Sequence, residues 1–187
     1  MQKINKKGNS KWIWGGILGL FLLGGAFFYL SKKGLSKAEQ TKAVELLNKV
    51  LADEWFANYQ YWLGSKLAKG PMSKEVSALF TKYSDDEFNN ANKIVDKILL
   101  FEGNLPLEPK IWYEISKCGY SAPIDTSTKN LLEQAIKREK CAVEFFKEIT
   151  DFIGTKDVEV LKIIQEISDM QNSHITELQN LLELVQH

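Results

Sequence analysis

VLKIIQEISDMQNSHITELQNL, residues 160–181, decides the fold. Val160, Ile164, Ile167, Gln171, His174, Leu178 and Leu181 are spaced alternately four and three apart, so all seven share one side of a helix. Gln171 and His174 therefore interrupt an apolar face at its middle. Three other stretches repeat the arrangement. Leu47, Leu51, Ala57 and Tyr61 share a face with Glu54, and Phe80, Tyr83, Ile94, Ile98 and Phe101 share one with Glu87 and Asn90. Leu132, Ala135, Ala142, Phe146 and Ile149 share a face with Glu139. A carboxylate in an apolar interior is costly unless it is paired or neutralised. One on each of three helices, with a histidine on the fourth, reads as a single polar layer through an all-α four-helix bundle. A metal ion is the economical explanation of that layer.

Punctuation along the chain supports four long helices. Ser36 followed by Glu39 is a capping box that opens the first. It runs to about Leu67, where Lys69-Gly70-Pro71 breaks it. The second begins near Ser73 and ends at Glu102-Gly103, with Pro106 and Pro109 beyond. Residues 104–126 read as irregular, a length suited to crossing a bundle from end to end. The third helix starts among the cap residues 125–128 and stops near Gly154, and the fourth runs from Thr155 or Lys156 almost to the end. Short turns thus join helices one to two and three to four, with a long crossover between them. No β-pattern competes.

The N-terminal region reads differently. Residues 1–11 form a basic tail, and Trp12 to Leu30 is a run of nineteen residues without a charge, long enough to cross a bilayer. Trp12, Trp14 and Tyr29 sit near its ends, and lysines flank both sides. The expectation is a single-pass transmembrane helix over 12–30, in contact with membrane lipid and followed by the bundle over 31–187. Lysines on both sides leave the orientation open. A cleaved signal peptide is the rival reading, although no small-residue cleavage pattern follows the run.

The 187 residues balance 24 Lys and Arg against 24 Asp and Glu. With no basic face and one arginine, Arg138, there is no case for a nucleic-acid partner. Two cysteines, Cys118 and Cys141, do not make a disulfide scaffold for a domain of this size.

Residues 48–61, NKVLADEWFANYQY, resemble the first helix of bacterioferritins. Residues 87–91, EFNNA, followed by KILLFEG at 97–103, resemble their second helix with its terminating glycine. Glu139 and Gln171-x-x-His174 fill the remaining positions, and the resemblance covers essentially residues 40–185. It implies the ferritin-like superfamily, whose members bind two irons between four helices and oxidise Fe(II) with oxygen or peroxide. The ligand set it implies is one Glu from each of two helices and a Glu-x-x-His from each of the other two.

This chain departs from that set. Asn90 stands where the first Glu-x-x-His has its histidine, and Gln171 where the second has its glutamate. Carried over, Glu54 and Glu87 remain for one iron, and Glu87, Glu139 and His174 for the other. Amide oxygens of Asn90 and Gln171 are neutral, weaker ligands for a hard cation. The expectation is one strong iron site and one weak one, with Mn(II) or Zn(II) also suited to the donors. Tyr61, about two turns from Glu54, is the candidate redox tyrosine. Phe88 stands where bacterioferritins carry their haem-ligating methionine, so no haem is expected.

The cysteines add a second resemblance, to Dps-like ferritins of the thioferritin type. These carry one cysteine in the crossover and one in the third helix, near the metal centre, which implies a redox-active Cys118–Cys141 pair. The other reading is two ordinary buried thiols. The sequence stops with the fourth helix, without the fifth helix of many 24-subunit ferritins. A closed cage displaying anchors in every direction does not fit a flat bilayer, so a dimer is favoured over a cage. The function expected is membrane-anchored iron binding, with Fe(II) oxidation, iron storage or peroxide detoxification. The rival is a non-catalytic scaffold that keeps the fold and has lost the metal.

Overall fold

Ser36 and Glu39 form the expected capping box in the computed structural model, which describes residues 34–186. The Ser36 amide donates to Glu39 Oε2 at 2.9 Å, and Ser36 Oγ accepts from the Glu39 amide at 3.3 Å. Two backbone donors that a helix start leaves unpaired are thereby satisfied. Helix α1, Lys37–Leu67, begins there. A tight turn, in which Gly70 takes φ 103°, leads to α2, Ser73–Leu100. The stretch read as irregular contains a short helix, α3, Pro109–Ile115, opened by its proline at the first turn. Helix α4, Thr128–Ile153, is capped by Ser127 and ends at Gly154, with φ 53°. Helix α5, Val158–Gln186, completes the fold.

Helices α1 and α2 pack as one hairpin and α4 and α5 as the other, and α1–α4 and α2–α5 contacts close the bundle. The single β-bridge among the described residues, Lys69 to Ser127, ties the α1–α2 turn to the start of α4. The apolar stripes face inward: every residue assigned to them is buried except Phe101 and Leu181, which are half-buried at the two ends of the bundle. The apolar interior falls into two clusters. One gathers Leu47, Leu51, Ile94, Ile98, Phe146, Ile149, Ile164 and Ile167, and the other Tyr61, Phe80, Tyr83, Leu132 and Leu178. The polar layer lies between them.

Gly103 has a different task from the one its place in the sequence suggests. The left-handed residue at the end of α2 is Glu102, at φ 55°. At Gly103 a Cβ would lie 2.7 Å from the Val44 side chain, so the glycine lets the end of α2 close against α1.

The basic tail 1–11 and the span 12–30 lie outside the described residues. The single-pass membrane localisation, with its lipid contact, is corrected: among the described residues no helix is long and apolar enough to cross a membrane. The physical reason is the composition of the helices. Each long one carries charged residues on its outer face and a polar layer at its centre, which a bilayer would not accept.

Candidate metal centre

Glu54, Glu87, Asn90, Glu139, Gln171 and His174 meet at mid-height of the bundle, all of them buried. Glu54 comes from α1, Glu87 and Asn90 from successive turns of α2, Glu139 from α4, and Gln171 and His174 from successive turns of α5. Glu87, Glu139 and His174 each offer a donor atom within 4.8 Å of the others. His174 Nδ1 lies 3.6 Å from Glu87 Oε1 and 3.8 Å from Glu139 Oε1. Its Nε2 is turned the other way, 3.3 Å from Asp86 Oδ2. A carboxylate on Nε2 holds the ring with Nδ1 aimed at the two glutamates. Tyr83 fixes the plane of the ring, stacked on it at a centroid distance of 3.7 Å.

The electrostatics are those of a crowded acid cluster. Burial, followed by repulsion from Glu87 and Glu139, holds the Glu54 carboxyl well above its ordinary range. Burial and the charge of Glu87 also raise Glu139, against a pull from His174 and Tyr61. Burial acts upward on Glu87 as well, but the close approach of Glu54 and His174 and the charges of His174 and Arg138 outweigh this and leave it below the ordinary value. For His174, burial disfavours the charged ring, yet Glu139 and Glu87 push its pKa up to about 10. Without a metal, then, the protonated ring is the positive charge beside these carboxyls.

The two halves of the layer suit a metal unequally. Glu87 Oε1 and His174 Nδ1 have no hydrogen-bond partner although both are buried. Unpaired buried donors and acceptors are rare, and these two converge with Glu139 on one point, which fits a single divalent ion. On the other side, Asn90 Nδ2 donates to Glu54 Oε2 at 3.4 Å and to Glu87 Oε2 at 3.1 Å. Gln171 Nε2 donates to Glu54 Oε1 at 3.4 Å. Both Glu54 oxygens therefore accept an amide N–H in the half where a second ion would need them. Only the carbonyl oxygens of Asn90 and Gln171, both unpartnered, remain there as further donors.

Tyr61 is buried with its hydroxyl donating to Glu139 Oε1. Burial and the charges of Glu139 and Glu87 hold its phenol well above the usual value, so it is neutral and keeps its proton. Phe88 is about half exposed and packs edge-on against Trp55. Cys118 and Cys141 are joined by a disulfide that ties the crossover to α4. Beside it, Asp53 accepts from Ser116 Oγ and from the Lys117 and Cys118 amides, at 3.3 and 3.0 Å. Arg138 donates to the Asp53 carbonyl and, at 2.7 Å, to the Gly119 carbonyl. Sequence reasoning missed Asp86, Tyr83 and the Asp53–Arg138 clamp. Asp86 had one usable signal, as an acid directly before Glu87 on the helix that faces His174.

Residues 44–187 match the family described as the ferritin-like domain. The chain belongs to the ferritin-like family. This ferritin-like chain is 23% identical over 142 residues to the DNA protection during starvation protein of Pyrococcus furiosus, with 75% of this chain and 77% of that protein covered. Among solved structures it is similar to a dodecameric thioferritin, the bacterioferritin-related protein of Bacteroides fragilis. That match has 30% identity and a TM-score of 0.77, and it covers 90% of this chain and 94% of that one. Dps from Thermosynechococcus elongatus shares the ferritin-like fold at 14% identity and a TM-score of 0.73, with 78% and 92% covered.

Proposed function

We propose that this ferritin-like protein binds Fe(II) at Glu87, Glu139 and His174 and oxidises it, which removes peroxide and prepares iron for storage. The observation that carries this reading is the convergence of three buried donor groups, two with unpaired atoms, in a bundle of the ferritin-like family. Two carboxylates and one imidazole suit a borderline divalent ion and leave positions for an oxidant. The site is one strong position, with a weak second one beside Glu54.

The chain's own groups have definite tasks. Glu87 and Glu139 neutralise the bound charge, Asp86 aims His174, and the two apolar clusters keep bulk water out. Tyr61 is placed to supply a second electron, with Glu139 accepting its phenolic proton. The balance closes with peroxide: one electron from Fe(II) and one from Tyr61, with the phenolic proton passed on by Glu139 and a second proton from solvent, convert H2O2 to two waters and leave Fe(III) and a neutral Tyr61 radical. Asn90 and Gln171 position Glu54, and the disulfide is a redox pair near the site.

The protein is a homo-oligomer in this reading. The preference for a dimer rested on the membrane span and loses its argument with it. The thioferritin that it resembles at 30% identity is described as a dodecamer, and we take that assembly as the one to test.

The test is stopped-flow oxidation of Fe(II) by H2O2 and by O2 in the wild-type protein and in His174→Ala. Peroxide-driven oxidation well above the rate without protein, lost in the variant, is the expected result. Equal rates in both would leave a ferritin-like scaffold without metal chemistry.

A further inference from the structure

The disulfide has a cavity of its own. Cys118 and Cys141 both line a space of about 320 Å³ together with Gln60, Lys117, Lys137 and Arg138. No acidic residue lines it. Lys137 has no carboxylate partner among the described residues, and Arg138, itself buried, donates to two carbonyls. Lys117 is engaged with Glu148 at 3.0 Å. Asp53 accepts from the Ser116 hydroxyl and the Lys117 and Cys118 amides. Cys141 also lines a second, larger groove, which carries Glu133 and Glu144 beside Lys137 and Lys140. Both cysteines are half-buried. On the side of its own cavity, where the lining holds three cations and no acid, the disulfide presents an electrophile in a positive field.

From this geometry we propose that the cavity is a docking site for a small thiol bearing carboxylates, which reduces the Cys118–Cys141 disulfide. A carboxylate rests on Lys137, with the charge of Arg138 behind it, and the positive field favours the thiolate over the thiol. The thiolate attacks Cys141 Sγ; a new S–S bond forms and the Cys118–Cys141 bond breaks, with Cys118 leaving as a thiolate. A second molecule of the same thiol attacks the mixed disulfide and releases Cys141. Two thiols are oxidised to one small disulfide, the protein disulfide is reduced to two cysteines, and two protons pass from the thiols to the protein sulfurs. None of this requires the metal centre to be occupied.

The experiment uses the full oxidised chain without metal. Its rate of reduction is measured with glutathione, a dicarboxylate thiol, and with cysteamine, a cationic one. Each rate is divided by that of the same thiol with a small uncharged disulfide, which removes intrinsic differences in reactivity. The normalised rate with glutathione is expected to exceed that with cysteamine by about tenfold at low salt, the lower end of electrostatic steering. Salt should erode the difference. In Lys137→Glu, whose side chain is exposed and holds no structural contact, glutathione should slow several-fold and cysteamine should gain. Equal normalised rates, a preference that Lys137→Glu leaves unchanged, or two titratable thiols in the oxidised protein would each overturn the proposal.

Discussion

At the residue scale, His174 decides what the centre can be. Its Nε2 is held by Asp86 and its Nδ1 faces Glu87 and Glu139. Asp86→Ala should weaken metal affinity by about tenfold to a hundredfold, as loss of such an outer partner does, while leaving the fold intact. Calorimetric titration with Mn(II) or Zn(II) checks this. Glu54→Gln should change the stability of the metal-free protein by less than about 1 kcal/mol, because burial and its neighbours already favour an uncharged Glu54. Chemical denaturation of the two proteins tests that figure. The inward direction of all six polar groups was legible from spacing alone. What the sequence could not show is the direction of each amide. Asn90 and Gln171 read as weak ligands, whereas both turn an N–H toward Glu54, which only a folded hydrogen-bond geometry reveals.

Titration at these residues makes a signed prediction. His174 is raised from 6.5 to about 10, so its contribution to metal-free stability is complete below about pH 6.5 and lost as pH rises through 10. Glu54 and Glu139 are also raised, so their contributions are complete below the ordinary carboxylate value and fade above it. Glu87 is lowered and works in the opposite sense, its contribution being lost as pH falls through its folded value. The metal-free protein should therefore melt higher at mildly acidic pH than at pH 9. A divalent ion must displace the protons on His174 and the glutamates, so the rise in Tm on metal addition should grow with pH. Thermal melts across that range, with and without Zn(II), read both trends.

At the element scale, the crossover is the part held by the most specialised bonds. The disulfide closes a separation of 23 residues, which stabilises by about 3 kcal/mol on loop-entropy grounds. Cys141→Ser should lose about that much in equilibrium denaturation. The Asp53 and Arg138 clamps and the Lys117–Glu148 pair should then still hold the crossover to α1 and α4. Four long helices and their ends were readable because caps, glycines and apolar period agreed at each boundary. Helix α3 was not, because its seven residues bury no side chain fully and so carry no stripe to read. Gly103→Ala offers a separate check on the close approach of α1 and α2. A Cβ there meets Val44 at 2.7 Å, so overpacking should cost about 1–3 kcal/mol.

At the scale of the whole molecule, an apolar bundle is divided by one polar layer. The layer separates two apolar clusters, and its acids are tolerated because a proton on His174 or a divalent ion offsets them. Membership of the ferritin-like family was legible from the residues around Glu54, Glu87 and Gly103, while assembly was not, since the argument for a dimer depended on residues outside the bundle. The measurement that bears most directly on the central claim is metal content. The purified chain is loaded anaerobically with Fe(II), desalted and analysed beside Glu87→Ala. About one tightly held iron per chain is expected in the wild type and almost none in the variant. No retained iron in either protein would contradict that claim.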